Sequence, residues 1–212
     1  MRNWPFLDLS VTTPRLVVRM PSLHDLDELG ARAAEGVHDE GDMPFFFPWT
    51  DAEPAARARS TIQFHFRAWG ALAPDDWSLN LVAVHEGRVV GTQGVMGKAF
   101  PVTREVSTGS WVGRRFQGRG IGTEMRRAVL HLAFAGLGAR YAVTEAFEDN
   151  PASLAVTRKL GYRDDGVTIH PRRGEPVVTR RFRLAAEDWT EPPGFEIHGL
   201  AGCLPLLGLD KV

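Results

Sequence analysis

The chain has 212 residues, 43% of them hydrophobic and 24% charged, a balance typical of a globular domain with one buried core. Its formal net charge of −1 excludes a strongly basic surface, so no nucleic acid partner is expected. The single cysteine, Cys203, excludes an intramolecular disulfide and agrees with a reducing compartment. Its apolar surroundings in the sequence favour packing over a nucleophilic role.

No segment of the sequence is typical of a membrane protein. The first ten residues lack the apolar centre of a signal peptide. No apolar run approaches the roughly 20 residues that a membrane-spanning helix needs. A cytoplasmic protein without a membrane partner is therefore expected.

The first third of the chain predicts one strand, two helices and an aromatic loop. Residues 16–20 form the strand, and Pro21 and Ser22 precede a helix over about 23–35. Residues 41–50 contain three phenylalanines, a tryptophan and two prolines, and the prolines exclude a regular element. This loop is predicted to be either a core plug or a wall of a substrate pocket. A second helix follows over about 52–70.

The remainder predicts six strands and two helices in a mixed order. Hydrophobicity of period two indicates a hairpin with strands 79–84 and 89–96, followed by a third strand over 104–113. Beyond these, the pattern predicts a helix at 120–137, a strand at 141–147, a helix at 150–160 and paired strands at 162–170 and 177–184.

This element order predicts an α/β domain with a strand–helix–strand unit over 111–147. The domain is expected to occupy residues 1–189. The segment 190–212, rich in Pro, Gly and Leu, is expected to form an arm. The arm either packs on the domain or contacts a second subunit, and the latter alternative predicts a homodimer.

Residues 117–123 indicate an anion site. Three of them are glycines at alternate positions, so successive N–H groups can point at one anion. The helix that follows adds its unpaired N-terminal N–H groups and the positive end of its dipole. Arg119 adds positive charge, with Arg114 and Arg115 just before it.

Other phosphate-binding patterns fit this turn poorly. Its glycine positions lack the G-x-G-x-x-G spacing of a dinucleotide site, and the lysine and hydroxyl of a P-loop are missing. An enzyme that binds another nucleotide diphosphate at this turn is therefore the weaker alternative.

Residues 150–153 combine a helix cap with a hydroxyl group. Asn150 can cap the predicted helix, with Pro151 at its first position. Capping alone explains this pair, and Ser153 alone can be a neutral surface residue.

Together these motifs resemble the GNAT superfamily of N-acyltransferases. Gln117-x-x-Gly120-x-Gly122 before an amphipathic helix resembles its acyl-CoA-binding motif. The opening residues 13–19 resemble the first strand of the RimJ/RimL-like branch. The matching segments run from about residue 12 to 186. Three short segments, at 36–39, 48–50 and 75–78, resemble actinobacterial members, one of them described as a succinyltransferase.

The resemblance implies a central mixed sheet of six to seven strands with about four flanking helices. Two parallel strands, ending near Val112 and Phe147, would splay apart, and the pantetheine arm of CoA would lie in the gap. The residues implied in cofactor binding are Trp111, Val112, Gly113, Gln117, Gly118, Arg119, Gly120, Gly122, Thr123, Asn150 and Ser153.

In this family the acceptor amine attacks the thioester directly. The resemblance implies that a backbone N–H near Val112 stabilises the oxyanion. Ser153 would protonate the leaving thiolate, with Tyr162 as the alternative acid and Asn150 on pantetheine or a water. A general base is not identifiable, and the candidates are Glu105, Glu145, Glu148 and His170.

The donor is expected to be acetyl-CoA or succinyl-CoA, and no metal is implied. A succinyl carboxylate would need a basic partner, with candidates at His38, His85, Arg104, Arg172 and Arg173. The acceptor would be a protein N-terminus, a lysine or a small amine, in a pocket formed by residues 37–50 and 171–176. The alternative function is a regulatory module that binds acyl-CoA without turnover.

Overall fold

The computed structural model describes residues 1–209, which form one nine-stranded mixed sheet with helices packed against it. The strand order across the sheet is β7-β8-β6-β5-β4-β3-β2-β1-β9. The strands are β1 (Ser10–Thr12), β2 (Leu16–Arg19), β3 (Asp76–His85), β4 (Arg88–Lys98), β5 (Glu105–Val112), β6 (Tyr141–Phe147), β7 (Arg163–Arg172), β8 (Glu175–Ala185) and β9 (Glu196–His198).

Five α-helices accompany the sheet within residues 1–209. They are α1 (Leu23–Glu35), α2 (Pro54–Gly70), α3 (Phe100–Thr103), α4 (Ile121–His131) and α5 (Pro151–Lys159). At the start of α1, Ser22 and Asp25 form a reciprocal capping box, which explains why the sequence predicted this helix with its observed bounds. None of the helices in the described part of the chain has the length and apolar run needed to cross a membrane.

The α/β fold class is confirmed, but the predicted counts of six to seven strands and about four helices were too low. The missed strands β1 and β9 have three residues each and pair with each other at one edge of the sheet. Three residues are too few to show a hydrophobic period. The missed helix α3 is a single turn between two residues of positive φ, Ala99 and Arg104.

The segment predicted as an arm contributes to the same sheet and core. β9 extends the sheet beyond β1, and Cys203, Leu207 and Leu209 are buried in the main hydrophobic cluster. The apolar content that suggested a subunit contact is thus accounted for within the chain. Residues 210–212 of the predicted arm lie outside the described residues.

The feature that positions the site is the incomplete pairing of β5 with β6. These two parallel strands are paired at only three positions, from Glu105 with Tyr141 to Ser107 with Val143. Beyond that point each strand continues without the other, to Val112 and Phe147. The predicted splay between two parallel strands is therefore confirmed.

Candidate active site

A cavity of about 1320 Å³ occupies the space between the parted ends of β5 and β6. Residues 117, 118 and 120–123 line it, together with residues 41–46 of the aromatic loop, whereas Arg119 lies outside the lining. The start of α5, including Asn150 and Ser153, completes the wall. The structure thus brings the two sequence motifs, 30 residues apart in the chain, to one cavity.

The turn has the backbone geometry that its glycines predicted. Gly118 and Gly120 have φ values of 72° and 77°, a region that residues with a Cβ rarely adopt. Gly120 is the N-cap of α4, and Glu124 N–H donates the first hydrogen bond of the helix, to Gly120 O at 3.1 Å. The N–H groups of residues 121–123 are therefore the unpaired amides of a helix N-terminus, at the cavity.

Gln117 lines the cavity and also holds the turn in place. Its Nε2 donates to Val37 O at 2.7 Å and to Val112 O at 2.8 Å. These bonds join the turn to the end of β5 and to the segment after α1. Both N–H groups of the amide are used, so any contact of Gln117 with a ligand involves its backbone or Oε1.

An ion pair that the sequence did not suggest links β2 to the start of α4. Arg15 Nη2 lies 2.6 Å from Glu124 Oε2, and Thr13 Oγ1 donates to Glu124 Oε1 at 2.7 Å. Arg15 Nη1 also donates to Arg119 O at 3.0 Å. The Thr13-Pro14-Arg15 segment therefore fixes the anion turn to the start of α4, while Glu124 neutralises the charge of Arg15.

The three arginines of the turn region differ in their partners. Arg114 pairs with Asp39, and Arg115 Nε lies 3.4 Å from Glu35 Oε2. Within the described residues Arg119 forms no ion pair. Arg119 is thus the one of the three whose charge is not already neutralised by a carboxylate.

Trp111, Val112 and Gly113 at the end of β5 were all expected to contact the cofactor. Only one of their three backbone N–H groups faces the gap. Gly113 N–H donates to Val90 O on β4 at 2.8 Å, and alternation directs the Trp111 N–H to β4 as well. Val112 N–H points to the opposite side, where β6 has departed. Val112 is therefore the residue of the three whose N–H can contact a ligand in the gap. The Trp111 ring packs on Trp49, with ring centroids 5.8 Å apart.

At the start of α5, Asn150 acts as the helix cap. Its Oδ1 accepts from Ser153 N–H at 3.1 Å, so the capping interpretation of this residue is confirmed. Both residues also line the cavity. Tyr162, the alternative acid, is buried and outside the cavity lining; burial raises the pKa of its hydroxyl, and the positive charge of Arg126 opposes that rise.

Two of the four candidate bases contact each other: Glu145 on the cavity wall and His170 outside the lining. His170 Nε2 lies 3.0 Å from Glu145 Oε1, and Thr179 Oγ1 donates to the same oxygen. Glu145 lines the cavity, and His170 lies behind it. The other two candidates form ion pairs with arginines, Glu105 with Arg183 and Glu148 with Arg180, and Glu148 lies outside the cavity lining.

The aromatic loop forms a wall of this cavity. Phe46 packs between Phe147 and His170, with ring centroids 5.1 and 4.7 Å away, while Phe47 remains 80% exposed. Arg172 holds the loop by donating to Met43 O at 3.2 Å. A plug would have buried its aromatic rings, so the pocket-wall alternative is supported over the core plug.

Comparison with known proteins identifies the family. The sequence matches the acetyltransferase (GNAT) domain over residues 15–163, more than half of the chain. The chain belongs to the GNAT family. It is thus an acyltransferase whose acyl donor is an acyl-coenzyme A thioester.

Solved structures share its fold. RimJ from Mycobacterium smegmatis, in complex with CoA-disulfide, aligns with a TM-score of 0.71 and 18% identity over 95% of each chain. A GCN5-related N-acetyltransferase from Brucella melitensis aligns with a TM-score of 0.67 and 20% identity over 89% of this chain and 86% of that one. The microcin C7 self-immunity acetyltransferase MccE, in complex with acetyl-CoA and AMP, aligns with a TM-score of 0.61 and 16% identity over 81% of this chain and 93% of that one.

The basic residues predicted to meet an acyl carboxylate do not all lie at the GNAT cavity. His85 and Arg104 lie outside its lining, whereas His38, Arg172 and Arg173 are part of it. The three that remain already have partners. Thr50 Oγ1 lies 2.7 Å from His38 Nε2, and the two arginines form ion pairs with Asp149 and Asp51.

The lining of the GNAT cavity also contains a basic residue that the sequence analysis missed. Arg126, in the second turn of α4, reaches the wall between β5 and β6. In the sequence it follows Met125 within an amphipathic helix, and only its burial distinguishes it from a surface arginine. Among residues 1–209 no group of three or more His, Cys, Asp or Glu side chains converges as metal ligands would.

Proposed function

We propose that this chain moves an acetyl or succinyl group from acyl-CoA to a primary amine, which attacks the thioester directly in a ternary complex. The observation that supports this most is the gap between β5 and β6, which has a helix N-terminus at one end and a carboxylate on its wall. A site that only bound nucleotide would need the first of these features and not the second.

The cofactor is proposed to lie along the free edge of β5. Its pyrophosphate contacts the unpaired amides at the start of α4, together with Arg119. Its pantetheine arm runs past Val112, whose N–H faces the gap. This N–H would donate a hydrogen bond to the thioester carbonyl oxygen and to the oxyanion that forms from it.

The proton transfers are proposed to use opposite walls of the cavity. Glu145 accepts a proton from the acceptor ammonium, directly or through a water, and His170 and Thr179 orient its carboxylate. The free amine attacks the thioester carbon, and the nitrogen of the tetrahedral intermediate gives up its second proton to solvent water as the carbon–sulfur bond breaks. Ser153 donates its hydroxyl proton to the departing thiolate and recovers one from solvent.

The acceptor is proposed to be a protein N-terminus, a lysine side chain or a small amine. It would enter between the aromatic loop and the β7–β8 turn, where Phe46 and Arg173 line the cavity. The Arg173–Asp51 ion pair joins these two segments, with 2.7 Å between Nη2 and Oδ1. An amine reaching Glu145 would therefore pass between two segments whose separation this ion pair fixes.

Turnover with an amine panel tests this function. The purified chain would be incubated with acetyl-CoA or succinyl-CoA and with N-terminal peptides, lysine peptides and small amines. Release of free thiol, together with the acyl mass increase on one acceptor, is expected. Tight CoA binding with no thiol release from any pair would instead favour a regulatory module that binds acyl-CoA.

Ser153→Ala is expected to lower kcat by about 10- to 100-fold while CoA affinity stays within about threefold, because a general acid acts on the leaving group and not on the bound cofactor. Stopped-flow thiol release and calorimetric titration of CoA measure the two quantities. Ala152→Ser, a neighbouring exposed position, provides the control. Unchanged kcat in Ser153→Ala would remove this hydroxyl from the acid role.

A further inference from the structure

Arg126 is a buried cation in the wall of the acyl-CoA gap. The residue is 4% exposed, and its side chain reaches the cavity between the two parted strands. Nη1 donates to Thr144 Oγ1 on β6 at 3.3 Å, and Nη2 donates to Ser110 Oγ on β5 at 3.4 Å. Both distances are at the long end for hydrogen bonds, and Nε has no partner within residues 1–209.

No carboxylate of the described chain neutralises this guanidinium. The other cavity arginines 172, 173 and 183 each form an ion pair, and Arg181 donates to the backbone carbonyl of Asp165. Burial lowers the pKa of Arg126, and the nearby Tyr162 hydroxyl, whose pKa burial raises, does not supply a negative charge. A buried charge that lacks a counter-ion is costly, and proteins rarely keep one without a use for it.

The position of Arg126 along the gap indicates which part of a ligand it meets. The two strands separate after Ser107, and Thr144 Oγ1 donates to Thr108 O at the first unpaired position. Arg126 bonds to both strands just beyond this point, at the closed end of the gap. The anion turn lies at the other end, after Val112. A thioester that extends along β5 from the turn would therefore bring its acyl end towards Arg126.

We propose that Arg126 forms a carboxylate subsite for the acyl group, so that the preferred donor is the CoA half-thioester of a short dicarboxylic acid such as succinate. This inference rests on the proposed function of the same gap. The guanidinium fork binds a carboxylate through two parallel hydrogen bonds, and the bound donor would supply the counter-ion that the chain lacks. An acetyl group has no such charge and would leave Arg126 uncompensated.

The competing role for Arg126 is a contact with the carbonyl groups of pantetheine, which all acyl-CoA donors share. The two roles differ in what a substitution changes. Loss of a pantetheine contact lowers the affinity for every acyl-CoA donor equally. Loss of a carboxylate subsite weakens only the dicarboxylic donor.

Calorimetric titrations of CoA, acetyl-CoA and succinyl-CoA against the full-length chain and Arg126→Met test the subsite. The native chain is expected to bind succinyl-CoA about 10- to 100-fold more tightly than acetyl-CoA, as the loss of one charge-assisted bond implies. In Arg126→Met this preference should fall to within about threefold. Arg127→Gln, beside it on α4 but outside the cavity lining, should keep the preference.

A thermal unfolding series keeps the test informative if binding is weak. Since removal of an uncompensated buried charge is neutral or stabilising, Arg126→Met without ligand should unfold at the same temperature as the native chain or higher. Succinyl-CoA should raise the native Tm more than acetyl-CoA does, and the variant should lose that difference. Equal affinity of the native chain for both donors, or an equal loss for both in the variant, would overturn the subsite. Failure of every donor to turn over, with the preference intact, would instead count against the acyltransferase proposal.

Discussion

Gly120→Glu is expected to weaken CoA binding by about 100-fold or more in a chain that still folds. Gly120 has a φ of 77° and is the N-cap of α4, so its substituent projects at the proposed pyrophosphate site. A new carboxylate there would repel the phosphates and pair with Arg15, whose Nη2 lies 3.3 Å from the added Cβ. Losing one or two charge-assisted bonds of about 1.5–3 kcal/mol each corresponds to this decrease.

Two further substitutions separate charge from backbone strain. Gly120→Gln has almost the same shape without the charge, and should lose much less affinity than Gly120→Glu. Gly87→Glu introduces a carboxylate at another glycine of positive φ, 73°, in the β3–β4 hairpin where nothing contacts a new Cβ. Thermal unfolding of this variant should show a free energy of unfolding lower by roughly 1–2 kcal/mol, because of backbone strain, but its CoA affinity should be unchanged. Unchanged CoA affinity in Gly120→Glu would disprove the pyrophosphate assignment.

Glu145→Gln is expected to lower kcat by about 100- to 10,000-fold, the range for loss of a general base, with little change in CoA affinity. The amide keeps the size of the side chain and its oxygen for Thr179, but it cannot take a proton from the acceptor amine. Steady-state kinetics with the acceptor found in the amine panel, together with CoA titration, measure the effect. The loss should diminish as pH rises, because more of the acceptor amine is then already deprotonated.

Glu148→Gln is the matched control for this substitution. It makes the same chemical change three residues away, at a carboxylate that pairs with Arg180 outside the cavity lining. It should keep kcat within about twofold. His170→Gln should give a smaller loss than Glu145→Gln, because His170 orients the carboxylate from behind. Equal kcat in Glu145→Gln and Glu148→Gln would show that acceptor deprotonation does not use Glu145.

Much of the fold follows from local patterns that the sequence displays. Helix α1 and strand β6 have the bounds that capping and hydrophobic period predicted. Gly118 and Gly120 of the anion turn adopt the positive φ that glycine favours, and Gly122 lies in the first turn of α4. These features depend on hydrogen bonds and backbone preferences within a few residues, so a single sequence is sufficient to predict them.

The composition of the candidate site could be predicted only in part. The turn was identified because its alternate glycines precede a helix, and Asn150 because it is a capping residue followed by proline at a helix start. Arg114 and Arg115 were grouped with Arg119, yet ion pairs with Asp39 and Glu35 neutralise them. Whether an arginine is available to a ligand depends on where carboxylates from other elements lie, which local sequence does not specify.

The sequence alone is sufficient for the order of the longer strands and helices, for the conformation of the anion turn and, through linked motifs, for the family. Which side chains meet depends on the tertiary fold: Glu145 with His170, Arg15 with Glu124, and Arg126 with both parted strands but with no carboxylate. The first group rests on interactions between near neighbours in the chain. The second rests on contacts across as many as 109 positions, which form only once the sheet has brought its strands together.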